Sequence, residues 1–231
     1  MVSRHSMKLP SLISLPDEPW LEKWARFFRY RQADHIIRSV YSQKTMWTLL
    51  DFGCGQDILY YHYIHSHFPS QAHTFSYIGV DPLISPTISL PKGVRIIKKK
   101  FEDVSISKAA DVIVMFAVLE HVDDPVALLE TAYNALKPGG VLILTTPSPL
   151  ARIPLEFFSR ILGIISIREI EEHKRYPTRA YLLSIAKTLP NAVVYHTYFE
   201  LGLNNFCTIK KPEATKSVKR ESARPKKYRQ G

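Results

Sequence analysis

Cysteine is nearly absent. Cys54 and Cys207 are the only two in 231 residues. That is too few for a disulfide framework, so a reducing, cytoplasmic setting is expected. No apolar run approaches the ~18 residues of a membrane span. The opening stretch MVSRHSMKLPSLISLPDEPW has no continuous apolar segment ending in small residues, so no signal peptide is expected. Excess charge is also scarce over most of the chain: outside residues 210–231 there are 22 basic and 19 acidic side chains, a net of +3. The last 22 residues, KKPEATKSVKRESARPKKYRQG, hold nine Lys or Arg and two Glu, a net of +7 of the formal +10. This tail has almost no apolar side chains to repay the entropy of ordering, so disorder is expected over 212–231. Two readings of it stand: an arm for anionic surfaces, whether lipid headgroups or RNA, or a solubilising extension without a partner.

What is present is a globular composition. Hydrophobic residues make up 45%, enough for a real core and one large domain. Residues 1–16, with Pro10 and Pro16, read as an irregular arm. From Asp17 to about Val40, Trp20, Trp24, Phe27, Phe28 and Ile36 recur at three- and four-residue steps, which predicts a core-packed helix. Short apolar runs follow: TMWTLLDF (45–52), FSYIGVD (75–81), VRIIKK (94–99), DVIVMFAV (111–118) and GVLILTT (140–146). Several are apolar at successive positions, as strands covered on both faces must be. Between the fourth and fifth lies a helix capped by Asp124, opened by Pro125 and stopped by LKPGG. Alternation of this kind predicts an α/β domain with a parallel sheet. NAVVYHTYFELGLNNFCTIKK (191–211) reads as an antiparallel hairpin on the sheet edge, turning near Leu201–Leu203.

TLLDFGCGQDILYY (48–61) carries the chemistry. Gly53 and Gly55 follow the first strand, where open parallel sheets bind ligands. The next helix, expected from about Asp57, offers free amide hydrogens to an anionic group. Asp51 offers a charge to a cation, and Asp81, closing the second strand in YIGVDP, can accept two bonds from a ribose diol. A dinucleotide fingerprint is missing: Ile58 stands at the third glycine position, and 28 residues rather than about 20 separate Gly53 from Asp81. No Gly-Lys-Ser/Thr phosphate loop occurs, and Asp51 would repel a pyrophosphate. The ligand that suits these residues has an amino acid end, both cationic and anionic, and a ribose.

LLDFGCGQD, YIGVDP, DVIVMFAVLEHVDDP, LKPGGVLILTTPSP and EEHKRYPTRAYLL occur in that order. With them the chain resembles the class I S-adenosylmethionine-dependent methyltransferases over roughly residues 45–211. It looks closest to the small-molecule branch that includes ubiquinone-type O-methyltransferases. The resemblance implies a Rossmann-like fold with a seven-stranded, mostly parallel sheet and helices on both faces. It implies S-adenosyl-L-methionine as cofactor: Asp51, Gly53 and Gly55 at the methionine part, Asp81 at the ribose, Phe101 and Glu102 at the adenine, and Met115 and Phe116 near the sulfonium. The domain would run from 17 to 211. Three positions depart from the pattern. Asp57 stands where the family often has a third glycine. Lys100 replaces an acid that often meets the adenine amine. Ala117 removes one ligand from the Glu-x-x-Glu-His motif with which some relatives bind magnesium, so no required metal is expected. Glu120 and His121 then either orient the helix or, for His121, act in catalysis.

Methyl transfer asks the protein mainly to align two reactants, and a hydroxyl acceptor must also lose its proton, a task suited to His near neutral pH. His173 in EEHKRYP is the preferred base and Tyr176 a pocket residue; both could instead pack a loop. ARIPLEFFSRILGIISIREI (151–170) has a broad apolar face with interspersed arginines, either a lid on the core or an interfacial segment. With the basic tail it points to a small or lipid-linked, hydrophobic acceptor and peripheral membrane contact. His62, His65 and His67 have metal-like spacing but no accompanying acid or cysteine, so they read as packing or exposed residues. Nucleic acid is disfavoured: no Asn/Asp-Pro-Pro-aromatic motif is present, and Cys54 sits in the cofactor loop. An RNA methyltransferase using the tail and a non-catalytic cofactor-binding scaffold remain the competing functions.

Overall fold

The computed structural model describes residues 20–43, 46–67, 75–84, 90–154 and 174–214. The apolar face of 151–170, apart from its first four residues, His173 and the tail beyond 214 lie outside these residues.

Helix α1 (Trp20–Gln43) precedes strand β1 (Trp47–Phe52), helix α2 (Leu59–His67), β2 (Phe75–Val80), β3 (Val94–Ile97) and β4 (Ala110–Phe116). Then come α3 (Pro125–Ala135), β5 (Leu136–Pro147), α4 (Arg179–Ala186), β6 (Val193–Phe199) and β7 (Asn204–Lys210). The seven strands form one sheet in the order β3-β2-β1-β4-β5-β7-β6. The first five are mutually parallel, and β7 enters antiparallel beside β5 and pairs antiparallel with the edge strand β6. The order reverses between β1 and β4, and ligands bind an open α/β sheet at such a switch point. The expected C-terminal hairpin is present, turning through Glu200–Gly202, with Leu201 at φ +56°.

Both faces of the sheet are covered because successive strand residues point to opposite sides. Leu49, Val112, Val114 and Ile143 pack with Phe27, Ala33 and Ile37 of α1 and the tyrosines of α2. Leu50, Phe52, Ile113, Leu142 and Leu144 pack on the other side with Leu128, Leu129 and Ala132 of α3 and Leu182 and Ile185 of α4. The continuous apolar runs thus have the cause inferred from them.

Local signals act as their chemistry dictates, with one correction. Asp124 caps α3, its carboxylate accepting from the amides of Val126 and Ala127 at 3.0 Å. LKPGG stops the helix as expected: Leu136 leaves it in extended conformation and begins β5 directly. Helix α2 starts at Leu59 rather than near Asp57, because Ile58 takes φ +44°. Past β7 the described chain still makes contacts, the amide of Gly139 donating to the Pro212 carbonyl at 3.1 Å.

Candidate active site

The turn after β1 is built from backbone. Gly53 adopts φ +80°, and a side chain there would collide with Val118. Its amide donates to the Val80 carbonyl at 2.8 Å, which fastens the turn to the end of β2. Gly55 adopts φ +68° with nothing within 4 Å of the place a side chain would occupy. Space is therefore left over bare peptide, and only glycine adopts that conformation without strain.

Two carboxylates border this space. Asp81 follows β2; its Oδ2 accepts from the Gly55 amide at 3.0 Å and its Oδ1 from the Leu83 amide at 2.8 Å. Each oxygen retains a lone pair for a further donor. Asp51, on the neighbouring strand, is 2% exposed and accepts from the Tyr77 hydroxyl at 2.5 Å. Burial pushes its carboxyl up to about 7; the Tyr77 bond opposes this, and the charge of Asp81 adds to it. The sequence thus brings Asp51, Gly53, Gly55 and Asp81 to one place. Gly79 serves it indirectly: a side chain there would run into Cys54 Sγ and Ile96. The absence of one lets Cys54 turn inward, where burial raises its thiol pKa.

The position of the missing third glycine costs nothing at Asp57, which is exposed and does not take a positive φ. The left-handed residue is Ile58, fully buried. A β-branched side chain in that conformation is strained, by about 1–3 kcal/mol, and the turn is held there by the packing of Ile58 in the core.

Other expected site residues divide. Phe116 ends β4 half-buried, against Tyr30 at 5.3 Å and Tyr60 at 4.8 Å. Met115 is completely covered within the core that contains Leu50 and Phe52. It points to the opposite face from Phe116 because strand neighbours alternate. Phe101 packs edge-on against Phe52 at 5.8 Å, whereas Glu102 and Lys100 are exposed. His121 is half-buried behind β4, and its predecessor's carbonyl accepts from the Lys174 amide at 2.9 Å. Half-buried Tyr176 lies in the strap that this bond begins and that Asn205 closes by donating to the Pro177 carbonyl at 3.0 Å. His67 stacks on Tyr63 at 4.0 Å and bonds its carbonyl. Among the described residues no group of three or more His, Cys, Asp or Glu is placed to hold a metal ion.

Sequence reasoning missed one set of groups. Glu120 is 0% exposed, and neither of its carboxylate oxygens has a hydrogen-bond partner. Burial raises its pKa, moderated by His121, the Thr146 hydroxyl and Arg29. Arg29 Nε, Thr145 Oγ1, Thr146 Oγ1 and Glu200 Oε1 are likewise buried without partners. These residues lie on separate elements, so no local spacing joins them; the only signal was Glu120 itself, a charged residue straight after an apolar strand.

Comparison with curated proteins finds no match. Solved structures supply relatives of the same fold. The plantazolicin methyltransferase BpumL, crystallised with a monoazolic desmethylPZN analog and SAH, superposes with a TM-score of 0.60 at 17% identity, covering 81% of this chain and 85% of its own. A possible exported protein from Bordetella parapertussis gives 0.59 at 12% identity over 89% and 76%. The CurJ carbon methyltransferase gives 0.52 at 15% identity over 73% and 49%. The methyltransferase-domain family model matches residues 17–189. Fold, glycine turn and family match agree, and the chain belongs to the methyltransferase-domain family, among the class I S-adenosylmethionine-dependent enzymes.

Proposed function

We propose that the protein moves a methyl group from S-adenosyl-L-methionine to an oxygen of a small or lipid-linked acceptor with an apolar body. The observation that carries this reading is the open backbone at Gly55 between the carboxylates of Asp51 and Asp81. The residues fit the cofactor. Asp81 has lone pairs left for a ribose diol; Asp51 is buried and, once ionised above about pH 7, can meet an ammonium group; Gly53 makes the turn, and Gly55 leaves room for the methionine part. The side of Phe101 and Glu102 remains for the adenine. Bound there, the cofactor would supply an electrophilic methyl carried on a sulfonium.

The chain's own residues then bind and align. Loss of bulk water around Asp51 strengthens its hold on a cation, since charge attraction grows as the local dielectric falls. Phe116, wedged between Tyr30 and Tyr60, walls the exit of β4 with aromatic surface. His121 or His173 takes the proton of a hydroxyl acceptor, and Tyr176 belongs to the acceptor pocket. The basic tail holds the enzyme near an anionic surface, consistent with an acceptor presented there.

A labelling experiment tests this. A lysate lacking the protein is incubated with it and tritiated-methyl cofactor, then divided into lipid, small-molecule and RNA fractions. Label in the lipid or small-molecule fraction supports the reading. Label in RNA that fades steeply with salt would replace it with RNA methylation, and cofactor binding with no labelled fraction would favour a scaffold.

A further inference from the structure

We infer that Arg29, Glu120, Thr146 and Glu200 form the polar end of the acceptor site and hold a hydroxyl- or amine-bearing head. This rests on the methyltransferase reading above and adds the chemistry of the substrate.

The four side chains converge from four parts of the chain: α1, the segment after β4, the end of β5 and the turn between β6 and β7. The guanidinium of Arg29 is close enough to act on both Glu120 and Glu200, and the Thr146 hydroxyl acts on Glu120. Five of their buried polar atoms make no hydrogen bond of normal distance and angle, the Thr146 hydroxyl being a candidate donor to Glu120: Arg29 Nε, both carboxylate oxygens of Glu120, Thr146 Oγ1 and Glu200 Oε1. Folded proteins leave few buried polar atoms unpaired, and here five gather in one cluster.

The surroundings are by contrast saturated. Asn205 spends its amide on the carbonyls of Thr146, Pro147 and Pro177 and its oxygen on His196. Ser148 donates to the Gly202 carbonyl at 2.6 Å. Asn204 donates to the other oxygen of Glu200. The walls are thus fixed and the open valences belong to the cluster. Its place also suits an acceptor. Thr145 pairs with Phe116 in the β4–β5 register and accepts the Ala117 amide at 3.0 Å. Thr146 is therefore one residue beyond the strand exit that the cofactor cleft uses.

The donor set specifies the head. Two carboxylates against one guanidinium leave an excess of acceptors, so the ligand must donate. A hydroxyl or an amine does so; a phosphate would face two carboxylates, and a hydrocarbon would leave every valence open.

The test uses full-length protein saturated with S-adenosylhomocysteine and three probes sharing one ring: benzyl alcohol, benzylamine and toluene. At least one of the first two should bind more tightly than toluene. Glu120→Gln and Thr146→Val should each weaken that binding about tenfold while leaving S-adenosylhomocysteine affinity unchanged. A second arm needs no ligand. Valences kept open for a ligand lower stability, so Thr146→Val and Glu120→Met should keep or raise Tm, by up to about 2–4 °C. Equal binding of toluene, or a fall in Tm for both variants, overturns the inference and makes the cluster internal scaffolding. If S-adenosylhomocysteine fails to bind the native protein, the cofactor reading is what fails, and the Tm arm still decides the cluster.

Discussion

Replacing Asp51 by Asn should stabilise the protein at pH 8 while weakening its cofactor binding. Burial lifts the Asp51 carboxyl from 3.8 to about 7. The folded chain therefore holds a proton that the unfolded chain releases at lower pH. The sign follows: this group's contribution is fully present below pH 3.8 and is lost as pH rises through about 7. At 1.36 kcal/mol per pH unit the whole effect is at most about 4 kcal/mol. Asparagine keeps the shape and can still accept from Tyr77, but it has no charge to desolvate. Relative to the native protein, Asp51→Asn should thus be more stable by only about 1.6 kcal/mol at pH 5, 1.2 pH units above 3.8. At pH 8 it should be more stable by about 2–4 kcal/mol, or roughly 5–10 °C in Tm for a domain of this size. Thermal melts at both pH values read this directly. Calorimetry on the native protein should show affinity for S-adenosylmethionine rising as pH passes about 7, because the ammonium needs the ionised carboxyl. A variant less stable at pH 8 than at pH 5, relative to native, would refute the reasoning.

The two glycines should part company. Gly53→Ala meets Val118 at φ +80° and should lower Tm markedly. Gly55→Ala has open space at φ +68° and should cost only about 1 kcal/mol yet impair cofactor binding, as melts paired with calorimetry would reveal. Asp81→Ala should weaken the cofactor tenfold or more, since charge-assisted bonds of about 1.5–3 kcal/mol are lost; unchanged affinity would remove Asp81 from the site. Asp124→Ala should cost about 0.5–2 kcal/mol through its lost cap without altering cofactor affinity, which urea melts and calorimetry can separate. Ending the chain at Ala214 should leave Tm and cofactor affinity unchanged, and a large fall in Tm would make the tail part of the fold.

The strands and the glycine turn were legible because each is written in consecutive residues: apolar runs, a carboxylate, two glycines. The cap of α3 was legible for the same reason, with Asp124 and Pro125 adjacent. Strand order was less so. That β7 lies between β5 and β6 depends on pairing across the sheet, such as Leu144 with Cys207. The face of β4 that Met115 takes was likewise hidden, because its neighbours in sequence say nothing of it. Ile58 hides its left-handed backbone, since nothing about isoleucine announces it. The cluster of Arg29, Glu120, Thr146 and Glu200 was beyond reach for the opposite reason: each residue is ordinary alone, and only the fold makes their burial and their unmet valences coincide.

Calorimetric titration of S-adenosylhomocysteine into the native protein and into Asp81→Ala tests the central claim most directly. The account predicts one equivalent bound by the native chain and at least tenfold weaker binding by the variant. A native protein that takes up no ligand, or a variant that binds it equally well, would contradict a nucleoside site at the glycine turn.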